Sequence, residues 1–143
     1  MIFSPIGMLK NVSLFTELSL SDCAEIAEQL KEHTFPAGAA VTKEGEPGPS
    51  VLAFFVIVDG RATVTVGGQE KATLGPGDHL GELSLIYDVP RSATVTADTD
   101  LHCYALSAWE FRPFVESHPK IAWAMLKGLA KRLGDQAFAP GKP

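Results

Sequence analysis

The stretch Ala62–Leu74, "ATVTVGGQEKATL", decides the fold. Its first five residues alternate with a period of two, as a half-buried antiparallel strand requires. At its centre stands Gly67-Gly68, a two-residue link that signals a hairpin, because primed turns need positive φ at both central positions. The segment therefore predicts strands at 62–66 and 70–74 joined by a tight turn. The same punctuation continues on both sides. Between His33 and Leu106, further strand candidates at 39–43, 51–58, 93–97 and 101–106 are separated by "EGEPGPS", "DG", "GPGD" and the segment 79–95. Short strands at near-regular spacing, with no helices between them, predict a mainly β domain: an antiparallel β-roll, jelly-roll or cupin-like, of roughly eight strands.

Helices flank this roll. Ser19-Leu20-Ser21-Asp22 fits a capping box, and Cys23, Ile26, Ala27 and Leu30 follow at helical spacing, so residues 20–31 are predicted to be helical. Ser107 and Glu110 form a second capping box, with Phe111, Phe114 and Val115 on the apolar face behind it. His118-Pro119 ends that helix and opens another, since proline is well tolerated at the first helical position. The last helix carries Ile121, Trp123, Met125, Leu126, Leu129, Ala130 and Leu133, and Trp109 and Trp123 are expected in the core. One domain is expected over 1–137: a helical lead-in at 9–32, the roll at 33–106 and C-terminal helices at 107–137, with a tail at 138–143.

Bulk properties narrow the function classes. The 143 residues are 45% hydrophobic and 20% charged, with a formal charge of −5. An acidic chain whose twelve basic residues are scattered argues against a nucleic-acid partner. No apolar run reaches ~18 residues, so no membrane insertion by this chain is expected. "MIFSPIGMLK" lacks the basic start and long apolar stretch of a signal peptide. Cys23 and Cys103 are isolated, which fits core packing and a cytoplasmic location better than a disulfide or a metal site. Ser84 and Ser92 have no histidine base with an orienting carboxylate at a recognisable spacing, so neither catalytic residues nor an enzyme are expected.

The segment 79–95, "HLGELSLIYDVPRSATV", carries the chemistry. Gly81 follows a glycine-rich turn, and a single helical turn at Glu82–Leu85 would point free backbone N–H groups at an anion. Arg91 returns to the same place after a proline-set bend and supplies a planar, permanently charged fork suited to phosphate. Glu82 beside an anion is awkward unless it accepts hydrogen bonds from the ligand, and sugar hydroxyls would supply them. Phosphate and ribose together suggest a nucleotide.

These residues carry a resemblance. "GELSLIYDVPRSATV" resembles, without a gap, the phosphate-binding cassette of cyclic-nucleotide-binding domains, in the form found in protein kinase A regulatory subunits and bacterial cyclic-nucleotide-binding proteins. "LKNVSLFTELS" resembles the family's helical lead-in, "FPAGAAVTKEGEPG" and "FFVIVDGRATV" its early strands, and "LGPGDHLGE" the run-up to the cassette. The likeness covers about residues 9–135. It implies a β-roll that binds cyclic AMP or cyclic GMP as its ligand, with no cofactor and no metal. Arg91 would pair with the cyclic phosphate and Glu82 would accept from the ribose 2′-hydroxyl. Backbone amides at Ser84 and Ser92 would face the phosphate, Gly81 would let the backbone approach the sugar, and Leu83 and Ala93 complete the expected binding set. Three positions depart from the pattern. Leu80 stands where an aromatic is common and Ser84 where alanine is usual, and both read as packing changes. Ser92 replaces the alanine of kinase-A-type cassettes; a hydroxyl there accompanies cyclic GMP preference in related kinases and also occurs in cyclic-AMP-binding bacterial regulators.

The resemblance further implies that the final helix closes over the base, hinged near Ser117-His118-Pro119, with Arg132, Leu133 or Phe138 as the capping group. No segment after that helix suits a helix-turn-helix. A regulatory sensor is therefore expected, either acting alone on a partner or forming part of a longer protein such as an enzyme or channel. The rivals are a cyclic-GMP-preferring sensor, an interaction module that has lost its ligand, and a cupin-type metal enzyme using His79, Glu82 and His102. The last lacks an H-x-H pair, and mononuclear sites need three or four convergent ligands.

Overall fold

A computed structural model of the chain describes residues 9–46, 52–87 and 89–137. Strand β3 (Leu52–Asp59) organises it. Its run "LAFFVIV" is apolar at every position because both of its faces are covered. Phe54 and Val56 point into a core shared with the helices, while Phe55 and Ile57 point into the interior of the roll. Period two on a doubly covered strand gives a continuous apolar run instead of an alternation. Each such side chain withdrawn from water contributes about 1.5–3 kcal/mol.

Among the described residues, eight strands form two four-stranded sheets, paired antiparallel throughout. One runs β1 (Lys31–Phe35), β8 (Leu101–Ser107), β3, β6 (His79–Leu80); the other runs β2 (Ala40–Thr42), β7 (Thr94–Ala97), β4 (Ala62–Val66), β5 (Gln69–Leu74). The β4–β5 hairpin turns at Gly67 and Gly68, with φ of 60° and 79°, and Val66 faces Gln69 across it. This is the expected primed turn. Between the sheets lie Phe55, Ile57, Ala62, Leu80, Val95, Ala97, Leu101, Cys103 and Ala105.

Helix α1 (Leu20–Gln29) starts at Ser19, whose hydroxyl accepts the Asp22 N–H at 3.1 Å. It ends two residues before the expected end at 31, and the expected lead-in at 9–32 is not helical to its end: Lys31 and Glu32 open β1. The apolar helical spacing stops at Leu30, and "KEHTF" pairs with β8 as a largely exposed edge strand, so its polarity hid it. The two-residue β6 was also missed. Helix α3 (Ala108–Ser117) begins at the expected capping box, where the Ser107 N–H donates to the Glu110 carboxylate at 3.1 Å. Helix α4 (Pro119–Ala137) follows after His118 alone. Trp109 and Trp123 are 66% and 59% exposed, against the expectation that they lie in the core. The inward faces of α3 and α4 belong to Phe111 and Phe114, and to Ile121 and Met125, and both tryptophans fall off those faces. The two cysteines are buried and free, and burial pushes the Cys103 thiol up to about 12. Among the described residues no helix is long and apolar enough to cross a membrane. Phe138 and the expected tail at 138–143 lie outside the described residues.

Candidate functional site

Gly81 fixes where the site begins. Its φ of 100° is left-handed, and a Cβ there would collide with the Ala53 carbonyl oxygen of β3. Only glycine combines that backbone with that approach. The chain leaves β6, turns at Gly81 and enters the short helix α2 (Glu82–Ile86), so α2 is laid directly against β3.

Arg91 returns to the same point. Its backbone N–H donates to the Glu46 carbonyl at 3.0 Å, and its carbonyl accepts from Gly45 at 2.9 Å, so the β2–β3 loop holds it from behind. The residue is only 9% exposed. Nη2 donates to the Ala53 carbonyl at 3.0 Å, and Nη1 donates to the Ser84 hydroxyl at 2.9 Å and the Gly81 carbonyl at 3.3 Å. A guanidinium carries five N–H donors, so donors on Nε and Nη2 are left over. No carboxylate forms an ion pair with Arg91 among the described residues. Burial pulls the guanidinium down from its ordinary value, opposed by the more distant Glu46 and Glu82. A desolvated cation with spare donors is costly unless an anion completes it.

Glu82 is 4% exposed. Its Oε2 lies 3.3 Å from His79 Nδ1, and its Oε1 lies 3.9 Å from Arg132 Nη2 on α4. Burial alone would raise its pKa, but the His79 hydrogen bond and charge, its own backbone N–H and Arg132 together hold the carboxyl below its usual range. Glu82 is therefore an anion whose oxygens remain acceptors.

These groups surround a cleft of about 520 Å³, within the several-hundred-Å³ range of small-molecule sites. Gly81, Glu82, Leu83, Ser84, Arg91, Ser92 and Ala93 all line it. The opposite wall comes from β4, β5 and β7 through Val64, Lys71, Ala72 and Val95. Thr42 steadies the near wall by donating to the Ala93 carbonyl at 3.1 Å. Of the three expected capping residues, Arg132 lines the cleft, Leu133 is exposed and does not, and Phe138 is not described. Lys71 and Ala72 were missed. A register shift opposite Val64 and Thr65 leaves Lys71 without a cross-strand partner, so simple alternation could not assign its face. His79, expected only as a ligand of the rival metal site, lines the cleft beside Glu82. His102 bonds Thr34 at 3.1 Å across β1–β8 instead, and among the described residues no three His, Cys, Asp or Glu side chains converge. The Ser84 hydroxyl is bonded to Arg91, which makes it more than the expected packing change.

Residues 32–118 match the model of the cyclic nucleotide-binding domain. The chain is 38% identical over 128 residues to a cyclic nucleotide-gated potassium channel of Mesorhizobium japonicum, covering 90% of this chain and 35% of the channel. It is 40% identical over 97 residues to the cAMP-dependent protein kinase regulatory subunit of Yarrowia lipolytica, covering 66% of this chain and 25% of that one. The regulatory domain of Toxoplasma gondii PKA, co-crystallised with cAMP, superposes with a TM-score of 0.74 at 25% identity, over 88% of this chain and 49% of that one. The chain thus spans about a third of that channel and a quarter of that kinase subunit. Both the match over most of the roll and the geometry of the cleft lead to one assignment: this chain belongs to the cyclic nucleotide-binding domain family.

Proposed function

We propose that residues 1–137 act as one sensor unit, without enzymatic activity, whose cleft takes a 3′,5′-cyclic mononucleotide, cyclic AMP ahead of cyclic GMP. The observation that carries this is Arg91, a buried cation with unused donors and no ion pair among the described residues, set in the wall of the cleft. A cyclic phosphate is the complementary anion, and its two exocyclic oxygens match a guanidinium edge. Glu82, ionised and partnered by His79, would accept from the 2′-hydroxyl, and Val64, Ala72 and Val95 would pack on the flat faces of sugar and base. Gly81, Leu83, Ser84, Ser92 and Ala93 complete the contact set around the phosphate. The kinase-A-like cassette and the cAMP co-crystal relative support the ranking. Ser92 lines the cleft, and its hydroxyl is the feature that favours cyclic GMP as the second candidate. The free cysteines suit a reducing, cytoplasmic setting.

Helix α4 supplies the readout. Its first two turns are anchored through Ile121 and Met125, whereas from Leu126 onward most described side chains are exposed, and among the described residues of this half Arg132 alone reaches the cleft. We propose that this distal half closes on the bound nucleotide and passes the change to an effector, in this chain or a partner. Calorimetric titration with both nucleotides tests the assignment. Binding of cyclic AMP tighter than cyclic GMP is expected; the reverse order overturns the ranking, and binding of neither overturns the function.

A further inference from the structure

The cleft contains a hydroxyl that the phosphate-binding role does not require. Ser84 is 3% exposed on α2, and its Oγ accepts from Arg91 Nη1 at 2.9 Å while lying 3.4 Å from the Gly81 carbonyl, to which it donates. Its proton is thus committed to the Gly81 carbonyl and its lone pair to the guanidinium. The other acceptors of Arg91 are backbone carbonyls, Gly81 at 3.3 Å and Ala53 at 3.0 Å. Ser84 therefore supplies the shortest of the three bonds and the only one that a side-chain substitution can remove. Without it Nη1 keeps a single long bond, and the guanidinium plane is free to turn about Nη2.

We propose that the Ser84 hydroxyl is a positioning group: it locks the plane of Arg91 so that the donors left on Nε and Nη2 face the cleft together. It acts through Arg91 and does not itself donate to the ligand. Freezing a bidentate fork before binding removes an ordering cost that each binding event would otherwise carry. The proposal rests on Arg91 being the phosphate-binding group.

The test has one arm that needs no nucleotide. In the unliganded protein, rotation about the Arg91 guanidinium is read by NMR from exchange between its Nη1 and Nη2 proton signals, assigned with Arg91→Lys. Ser84→Ala removes one oxygen from a small buried site and should fold normally. It should speed this exchange by about ten-fold, as expected when one hydrogen bond to a charged group is lost. The second arm is a double-mutant cycle on cyclic AMP affinity. Ser84→Ala should weaken binding by about five- to ten-fold in the parent and by less than about two-fold in Arg91→Lys, where no fork remains to orient. Nη exchange in Ser84→Ala within about two-fold of the parent, or equal losses in the two backgrounds, overturns the proposal. If the parent binds no cyclic nucleotide, the functional assignment fails, and the exchange measurement still decides the role of Ser84.

Discussion

Replacing Arg91 by alanine removes two things at once, and the structure separates them. The first is the contact with the phosphate. Loss of a charge-assisted bidentate bond inside a desolvated cleft should cost on the order of 2–5 kcal/mol, a weakening of roughly thirty-fold to several-thousand-fold. The second is internal. Arg91 satisfies the carbonyl of the fully buried Ala53, at the start of β3, and the Ser84 hydroxyl of α2, tying the cassette to the sheet. Leaving such acceptors bare costs about 1–3 kcal/mol each, but the cleft lets water replace the guanidinium, so the net loss of stability should be about 1–3 kcal/mol. The variant is expected to stay folded, with a lower urea midpoint and an unchanged slope. Calorimetry with cyclic AMP and urea unfolding are run on the same preparation. Arg91→Lys should recover part of the affinity, since an ammonium restores the charge without the fork. Unchanged affinity in the alanine variant would move Arg91 out of the site. An affinity loss no larger than the loss of stability would reduce its role to holding the cassette.

Gly81→Ala should lower unfolding stability by more than about 2 kcal/mol, because left-handed φ alone costs about 1–2 kcal/mol in a residue with a Cβ and here the Cβ also meets the Ala53 carbonyl; an unshifted urea midpoint would contradict that geometry. The folded-state pKa of Glu82 lies below its ordinary value of 4.5, so its contribution to stability is present above that value and is lost as pH falls through the depressed one. Glu82→Gln should therefore show a flatter decline in urea midpoint below pH 4.5 than the parent, and parallel acid limbs would refute the assignment of a stabilised carboxylate. Truncation after Gly128 keeps Ile121 and Met125 but removes Arg132, so the roll should stay folded while cyclic AMP affinity falls about ten-fold, or ~1.4 kcal/mol. Equal affinity in the folded truncated chain excludes a closing role for distal α4.

The site was more legible in the sequence than the fold around it, for a physical reason. Gly81 to Ala93 are contiguous, and their constraints are local: a left-handed turn, one helical turn, a bend and a cation. A linear stretch can show all of these. The missed pieces depend on pairing partners. "KEHTF" becomes a strand only because β8 supplies its hydrogen bonds, and β6 is two residues whose existence depends on Phe55 and Val56 opposite them. Lys71 reaches the cleft because of a register shift, which is a property of two strands together. Ser84 was visible as a departure from the pattern, but its meaning required the distance to Arg91. The tryptophans mislead for the opposite reason: apolar residues on a helix imply an apolar face only when their angular positions agree, and Trp123 does not share the face of Ile121 and Met125.

Signal transfer in the proposed scheme narrows to one carboxylate. A ligand can move a helix only by interacting differently with its two positions. Proximal α4 is anchored in the N-terminal helical core through Ile121 and Met125, whereas distal α4 reaches the cleft through Arg132. At 3.9 Å from Glu82 Oε1, the Arg132 guanidinium is close enough to feel the charge and too far for a strong hydrogen bond. Glu82 also faces the expected place of the 2′-hydroxyl, with His79 holding its other oxygen in place. A sugar bound at Oε1 would change what Arg132 meets there, and the phosphate at Arg91 would add a negative charge to the same cleft, drawing Arg132 inward. Sugar recognition and helix position then share one residue, so no chain of intervening contacts is needed to couple them. In that scheme the exposed distal turns would favour the coupling, because they would lose little buried apolar surface on moving.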